Sequence, residues 1–80
     1  MNTKEAVAKR ILDLCAERSL AVNALANAAG VSTSTVYSML NGKSMNPGVV
    51  SLKKICDGLD ISVREFFVSD LFDNLEQEIK

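Results

Sequence analysis

The sequence predicts an all-α fold of five helices, with or without a short sixth helix at the C-terminus. Three observations predict it. Apolar residues recur at three- and four-residue spacing along most of the chain. The chain has one proline, and no alternating run or strand-flanked Asn-Gly pair reads as a hairpin. Cap and stop residues separate the periodic stretches at short intervals. With 80 residues and 48% apolar content, the chain can build one small core, so every helix must share it.

The first helix should begin at Asn2 or Thr3, either of which can cap it, with Glu5 in the first turn where a carboxylate suits the helix dipole. Val7, Ile11, Leu14 and Cys15 make its buried stripe, and Lys4, Lys9, Asp13 and Glu17 fall mainly on the wet side. It should end around Arg18 and Ser19. The second helix spans residues 22–28 with Leu25 and Ala26 inward. Its cap position holds Ala21, which offers no oxygen to the first amides and leaves them open to another acceptor such as a phosphate.

Ala29-Gly30-Val31 is the turn, with Gly30 where a helix end commonly needs a left-handed residue. Ser32 caps the third helix, residues 33–40, and Val31 with Val36 forms a hydrophobic staple that sets its entry angle. Asn41-Gly42 stops it. Residues 43–48 read as an exposed loop around Asn46-Pro47-Gly48. The fourth helix starts at Val49 or Val50, turns Leu52, Ile55, Cys56 and Leu59 inward and Lys53, Lys54 and Asp57 outward, and is ended by Gly58. The fifth has the clearest start: Ser62 and Glu65 fit a capping box, Ile61 and Phe66 a staple. Phe66 and Phe67 should close the bottom of the core.

Residues 1–68 therefore form the domain and residues 69–80 an acidic amphipathic tail. In the tail, Leu71, Leu75 and Ile79 are four residues apart, with Phe72 beside them. Such a stripe either folds or frays against its own domain, or pairs two copies of the chain as a homodimer seam.

Composition removes several function classes. No apolar run approaches the roughly 20 residues needed to span a bilayer, and no secretion-type leader is evident, so the chain is expected to be cytoplasmic. Cys15 and Cys56 are isolated in apolar registers and the chain has no histidine, which favours reduced, core-packed thiols over a zinc site, with a disulfide or redox switch as the alternative. No nucleophile with its base, no paired catalytic carboxylates and no phosphate-cradling glycine loop can be assembled, so no enzyme, metal, cofactor or small-molecule ligand is expected.

The net charge of −1 runs against nucleic-acid binding, which draws on cations to neutralise phosphates. Its distribution softens the objection. Residues 1–58 carry seven Lys or Arg against four Asp or Glu, for +3, and residues 59–80 carry two against six, for −4.

Residues 25–41 form a helix-turn-helix: Ala26 lets two backbones approach, Gly30 makes the corner, and Val36 and Met39 seat the second helix. With Val36, Met39 and Leu40 inward, the helical wheel leaves Thr33, Ser34, Tyr37, Ser38 and Asn41 outward. Those residues can read base edges through hydroxyls and the threonine methyl, without an Arg, Gln or Lys for a bidentate contact, so recognition should be water-mediated or shape-based. Serines and threonines in a first turn also serve simply as helix caps.

Several segments in order, Leu25-Ala26, Gly30-Val31-Ser32, Val36, Asn41-Gly42-Lys43, Pro47, the stripe from Leu52 to Leu59, and Leu59-x-Ile61-Ser62-x-x-Glu65-Phe66, make the chain resemble the Cro/C1-type (XRE-like) helix-turn-helix family of small phage repressors and bacterial regulators. The resemblance covers residues 4–68. It implies a lambda-repressor-like five-helix bundle that binds double-stranded DNA, with the third helix in the major groove and Thr33, Ser34 and Ser38 facing bases. It also implies phosphate contacts around Asn41 to Lys43 and at the start of the second helix; Lys53 and Lys54 are the next cations along. Family members often carry Ser or Thr at the position of Ala21 and a polar residue at that of Val22, where this chain is apolar. The expected function is a sequence-specific transcriptional regulator acting as a homodimer; the alternative is a protein-interaction module that keeps the fold without binding DNA.

Overall fold

Three of the helices, those that begin at Thr3, Thr33 and Val63, start on side chains that satisfy the first backbone amides. The computed structural model describes residues 1–41 and 47–79. Helix α1 (Thr3–Glu17) opens on a reciprocal capping box in which Asn2 Oδ1 accepts from Glu5 N–H at 2.8 Å and Glu5 Oε1 accepts from Asn2 N–H at 2.9 Å. Glu5 thus has a specific partner as well as a favourable place on the dipole. Helices α2 (Val22–Ala29) and α3 (Thr33–Leu40) follow, then α4 (Val49–Gly58), α5 (Val63–Phe66) and a single 3₁₀ turn, Asp70–Phe72. Ser62 and Glu65 form the expected capping box at α5.

One core joins all five helices. Val7, Ile11, Leu14 and Cys15 of α1 meet Leu25, Ala26 and Ala29 of α2, Val36 and Met39 of α3, Ile55 and Cys56 of α4, Leu59, and Phe66 of α5. Leu52, expected inward, is only half-buried at its edge. Cys15 and Cys56 are buried free thiols, and burial pushes the pKa of both up, which keeps them protonated and poorly nucleophilic. Among the described residues, no helix is long and apolar enough to cross a membrane.

Four features depart from the sequence expectation. Lys4, assigned to the wet side, is buried. Its position three residues before Val7 puts it on the apolar stripe of α1, and its amine finds partners at the end of α3. Helix α4 does end at Gly58, but the left-handed residue of the turn is Asp60, at φ 57°, with Ile61 N–H closing it on Cys56 O at 3.0 Å. Gly58 instead sits against α2, where an added Cβ would lie 2.9 Å from Ala29 N. Phe67 is 40% exposed, so Phe66 alone closes the core, with the Phe67 and Phe72 rings packed around it at 5.1 and 6.1 Å.

The helical stripe of the tail is the fourth departure, whereas packing against its own domain is one of the outcomes the sequence allows. Leu71, Leu75 and Ile79 do not share a helical face, because among the described residues of the tail only Asp70–Phe72 is helical. Phe72 turns onto its own core, and Leu71 and Leu75 are half-buried, whereas Ile79 is 83% exposed. Aromatic packing on Phe66 and Phe67 outweighs a short stripe of four-residue spacing that has no partner helix. The segment then returns to the start of α1, where Glu76 N–H donates to Met1 O at 3.2 Å and its carboxylate pairs with the Met1 ammonium at 3.4 Å.

Candidate nucleic-acid interface

Helices α2 and α3 meet at the corner that the small residues allow. Gly30 adopts φ 69°, and Val31 N–H reaches Ala26 O at 3.1 Å across it. Ser32 then caps α3 by accepting from Thr35 N–H at 3.1 Å. Inside, Val36 and Met39 are buried; Val31 and Leu40 pack against the same core from its edge. The opposite face of α3 carries Thr33, Ser34, Tyr37 and Ser38, all exposed, with Asn41 exposed just beyond.

The hydroxyls at the start of α3 are tied together. Ser32 Oγ lies 3.1 Å from Ser34 Oγ and 2.8 Å from Thr35 Oγ1, so the cap residue also hydrogen-bonds two neighbouring hydroxyls. Substitution of Ser32 by Ala should therefore lower stability by about 1 kcal/mol, the usual value of a lost serine cap. Urea unfolding measures it, and an unchanged midpoint would mean that the cap contributes nothing.

The far end of α3 has no basic residue of its own in the last turn. Lys4 supplies one from α1: its Nζ donates to Ser38 O at 3.3 Å and to Met39 O. Burial lowers the Lys4 pKa from its ordinary value. A second cross-helix clamp fixes α5, with Arg10 Nε donating to Phe66 O at 2.7 Å and Nη2 to Glu65 O at 3.0 Å. Neither role was read from the sequence. Lys4 carried a signal in its register with Val7 and Ile11; Arg10 carried none, since its partners are backbone carbonyls 55 and 56 residues away.

The remaining phosphate candidates are scattered. Lys43 lies outside the described residues. Lys53 is exposed but pairs with Asp57 one turn along α4, so any phosphate would have to draw it from that partner. Lys54 is exposed beside it and forms no ion pair among the described residues. The first turn of α2 has no side-chain cap at Ala21, and α4 has none at Gly48. Both leave backbone amides open at helix starts.

A profile of the Cro/C1-type HTH DNA-binding domain matches residues 10–70. The chain belongs to the Cro/C1-type helix-turn-helix DNA-binding family. This Cro/C1-type domain is also similar to the crystal structure of the prophage Lp1 protein 11, at 33% identity and a TM-score of 0.81, over 94% of this chain and 100% of that one. A comparison with curated proteins gives no match. Family membership accounts for the α2–turn–α3 corner and makes the domain a DNA-binding module of the transcription-regulating type. Within that frame α3 of the Cro/C1-type domain is neutral, because no charged residue occurs between Arg18 and Lys43.

Proposed function

We propose that the chain is a sequence-specific DNA-binding transcriptional regulator that inserts α3 in the major groove and works as a homodimer on a two-fold site. The observation that carries the reading is the uncovered polar face of α3, seated from behind by Val36 and Met39. Thr33, Ser34, Tyr37 and Ser38 would face base edges, and Asn41, Lys43 and Lys53 would meet phosphates together with the open amides of α2. Two copies are needed because one copy brings few cations. With about two to three phosphates neutralised per protomer, log affinity should fall with log salt at a slope of about −2 to −3 per protomer.

Fluorescence anisotropy at low salt, on duplexes taken from the genomic neighbourhood of the coding sequence, tests the reading. Wild type should bind, and a Ser34→Arg/Ser38→Arg variant should bind more tightly and with a steeper salt slope. Failure of both proteins to bind would sink it.

A second reading, a protein-interaction module that retains the fold, is favoured by the Lys53–Asp57 pair and by the net charge of −1. It predicts a stoichiometric protein partner and no salt-sensitive DNA binding.

A further inference from the structure

We infer that Lys4 is a positioning residue for DNA binding, holding the carboxyl end of the recognition helix from α1 and cancelling the negative end of its dipole where a DNA backbone would pass. The inference rests on the DNA-binding reading above.

The last carbonyls of any helix lack intrahelical donors, and together they carry about half a negative charge. In the sequence that end of α3 is followed directly by Asn41 to Lys43, which the DNA-binding reading assigns to phosphate, so left bare it would repel the ligand. The Asn41 N–H donates to Tyr37 O at 2.9 Å, and of the three helix carbonyls that follow, Lys4 Nζ donates to two, Ser38 O and Met39 O. A full positive charge on half a negative one turns that end of α3 net positive.

Three observations separate this role from ordinary core filling. Lys4 is only 7% exposed and forms no ion pair among the described residues, so its charge is spent on the helix end and not on a carboxylate. It lies on the apolar stripe of α1, where a methionine of similar length would fill the space without the desolvation cost of an ammonium. It also lines a groove of about 410 Å³ with Val7, Leu52 and Phe67, surroundings that screen its field less than water does. Glu76 and Glu78 line the same groove, and Glu76 is engaged by the Met1 ammonium.

The test uses the full chain as wild type, Lys4→Met and Lys4→Arg. Anisotropy is measured on fluorescein-labelled random-sequence duplexes, and on a duplex selected from that pool by the wild type, from about 50 mM to about 300 mM NaCl. Affinities are expressed per folded molecule, from circular dichroism at the same temperature, so a partly unfolded variant is still scored. Lys4→Met should weaken binding on the order of three- to tenfold at the lowest salt on both probes, with the gap closing as salt rises, and Lys4→Arg should recover most of the loss. Binding by Lys4→Met within about twofold of wild type at every salt would overturn the role of Lys4 and leave DNA binding standing. Equal losses in Lys4→Met and Lys4→Arg that do not depend on salt would reduce Lys4 to packing and overturn it as well. Absence of salt-sensitive binding by wild type itself would remove the DNA-binding reading and this inference together.

Discussion

Phe66→Ala is expected to cost about 3–5 kcal/mol, a large share of the stability of a domain this size. Phe66 is fully buried, is the largest such side chain, and holds the Phe67 and Phe72 rings around it. Removing it opens a cavity at the one point where α5, the tail and the rest of the core converge. Phe67→Ala is the control, because Phe67 is 40% exposed and should lose well under half as much. Urea unfolding of both variants reads the difference. Equal losses would mean that the two rings share the closure of the core, as their adjacency in sequence suggested.

Gly58→Ala should be the next most damaging change, by about 1–3 kcal/mol. The methyl group would meet Ala29 N at 2.9 Å, Ala29 Cα at 3.1 Å and Ala28 C at 3.2 Å, all backbone atoms of α2 that cannot swing aside. For a chain of this length, each kcal/mol lowers the melting temperature by roughly 4–8 °C. Gly30→Ala is the informative comparison. At Gly30 the cost is the left-handed φ of 69° with nothing within 4 Å of the added Cβ, so roughly 1 kcal/mol of conformational strain is expected. A melting temperature lower for Gly30→Ala than for Gly58→Ala would show that α2 and α4 can separate and that the close approach is not limiting.

The two glycines show how far local pattern can be read. Gly30 was legible because its role is local: a glycine directly after an amphipathic stretch and two residues before a capping serine marks a left-handed turn. Gly58 has the same appearance, directly after the stripe of Leu52, Ile55 and Cys56, yet its role is set by a helix nearly thirty residues away. Asp60, one of the non-glycine residues that accept a left-handed conformation more readily, made the turn instead.

The candidate interface divides in the same way. The outward set on α3 followed from the helical wheel once Val36 and Met39 were assigned inward, and all of Thr33, Ser34, Tyr37 and Ser38 are exposed. Their contact with DNA is a matter for the binding experiments. Lys4 and Lys53 were both read as solvent-facing lysines on amphipathic helices. The first is held by the end of α3 and the second by Asp57, and a lysine's long stem allows either outcome from the same local pattern.

The tail makes the limit plain. Four-residue spacing of Leu71, Leu75 and Ile79 is the signature of an amphipathic helix, but a twelve-residue segment is too short to be helical without a surface that rewards it. The core instead offers the edge of Phe66 and Phe67, and Phe72 takes it, breaking the stripe after one 3₁₀ turn.

By itself, the sequence determined the helical class, the order of the helices, the serine caps of α3 and α5 and the helix-turn-helix corner, because each depends on residues within one or two turns of one another. Only the tertiary structure decided that Lys4 and Arg10 clamp other helices, that Gly58 is a close contact with α2, that Phe66 outranks Phe67, and that the tail folds back. Those outcomes depend on which backbone carbonyls and apolar edges distant segments present after packing; the register of Lys4 with Val7 and Ile11 marks its burial, but no periodicity along the chain records its partners.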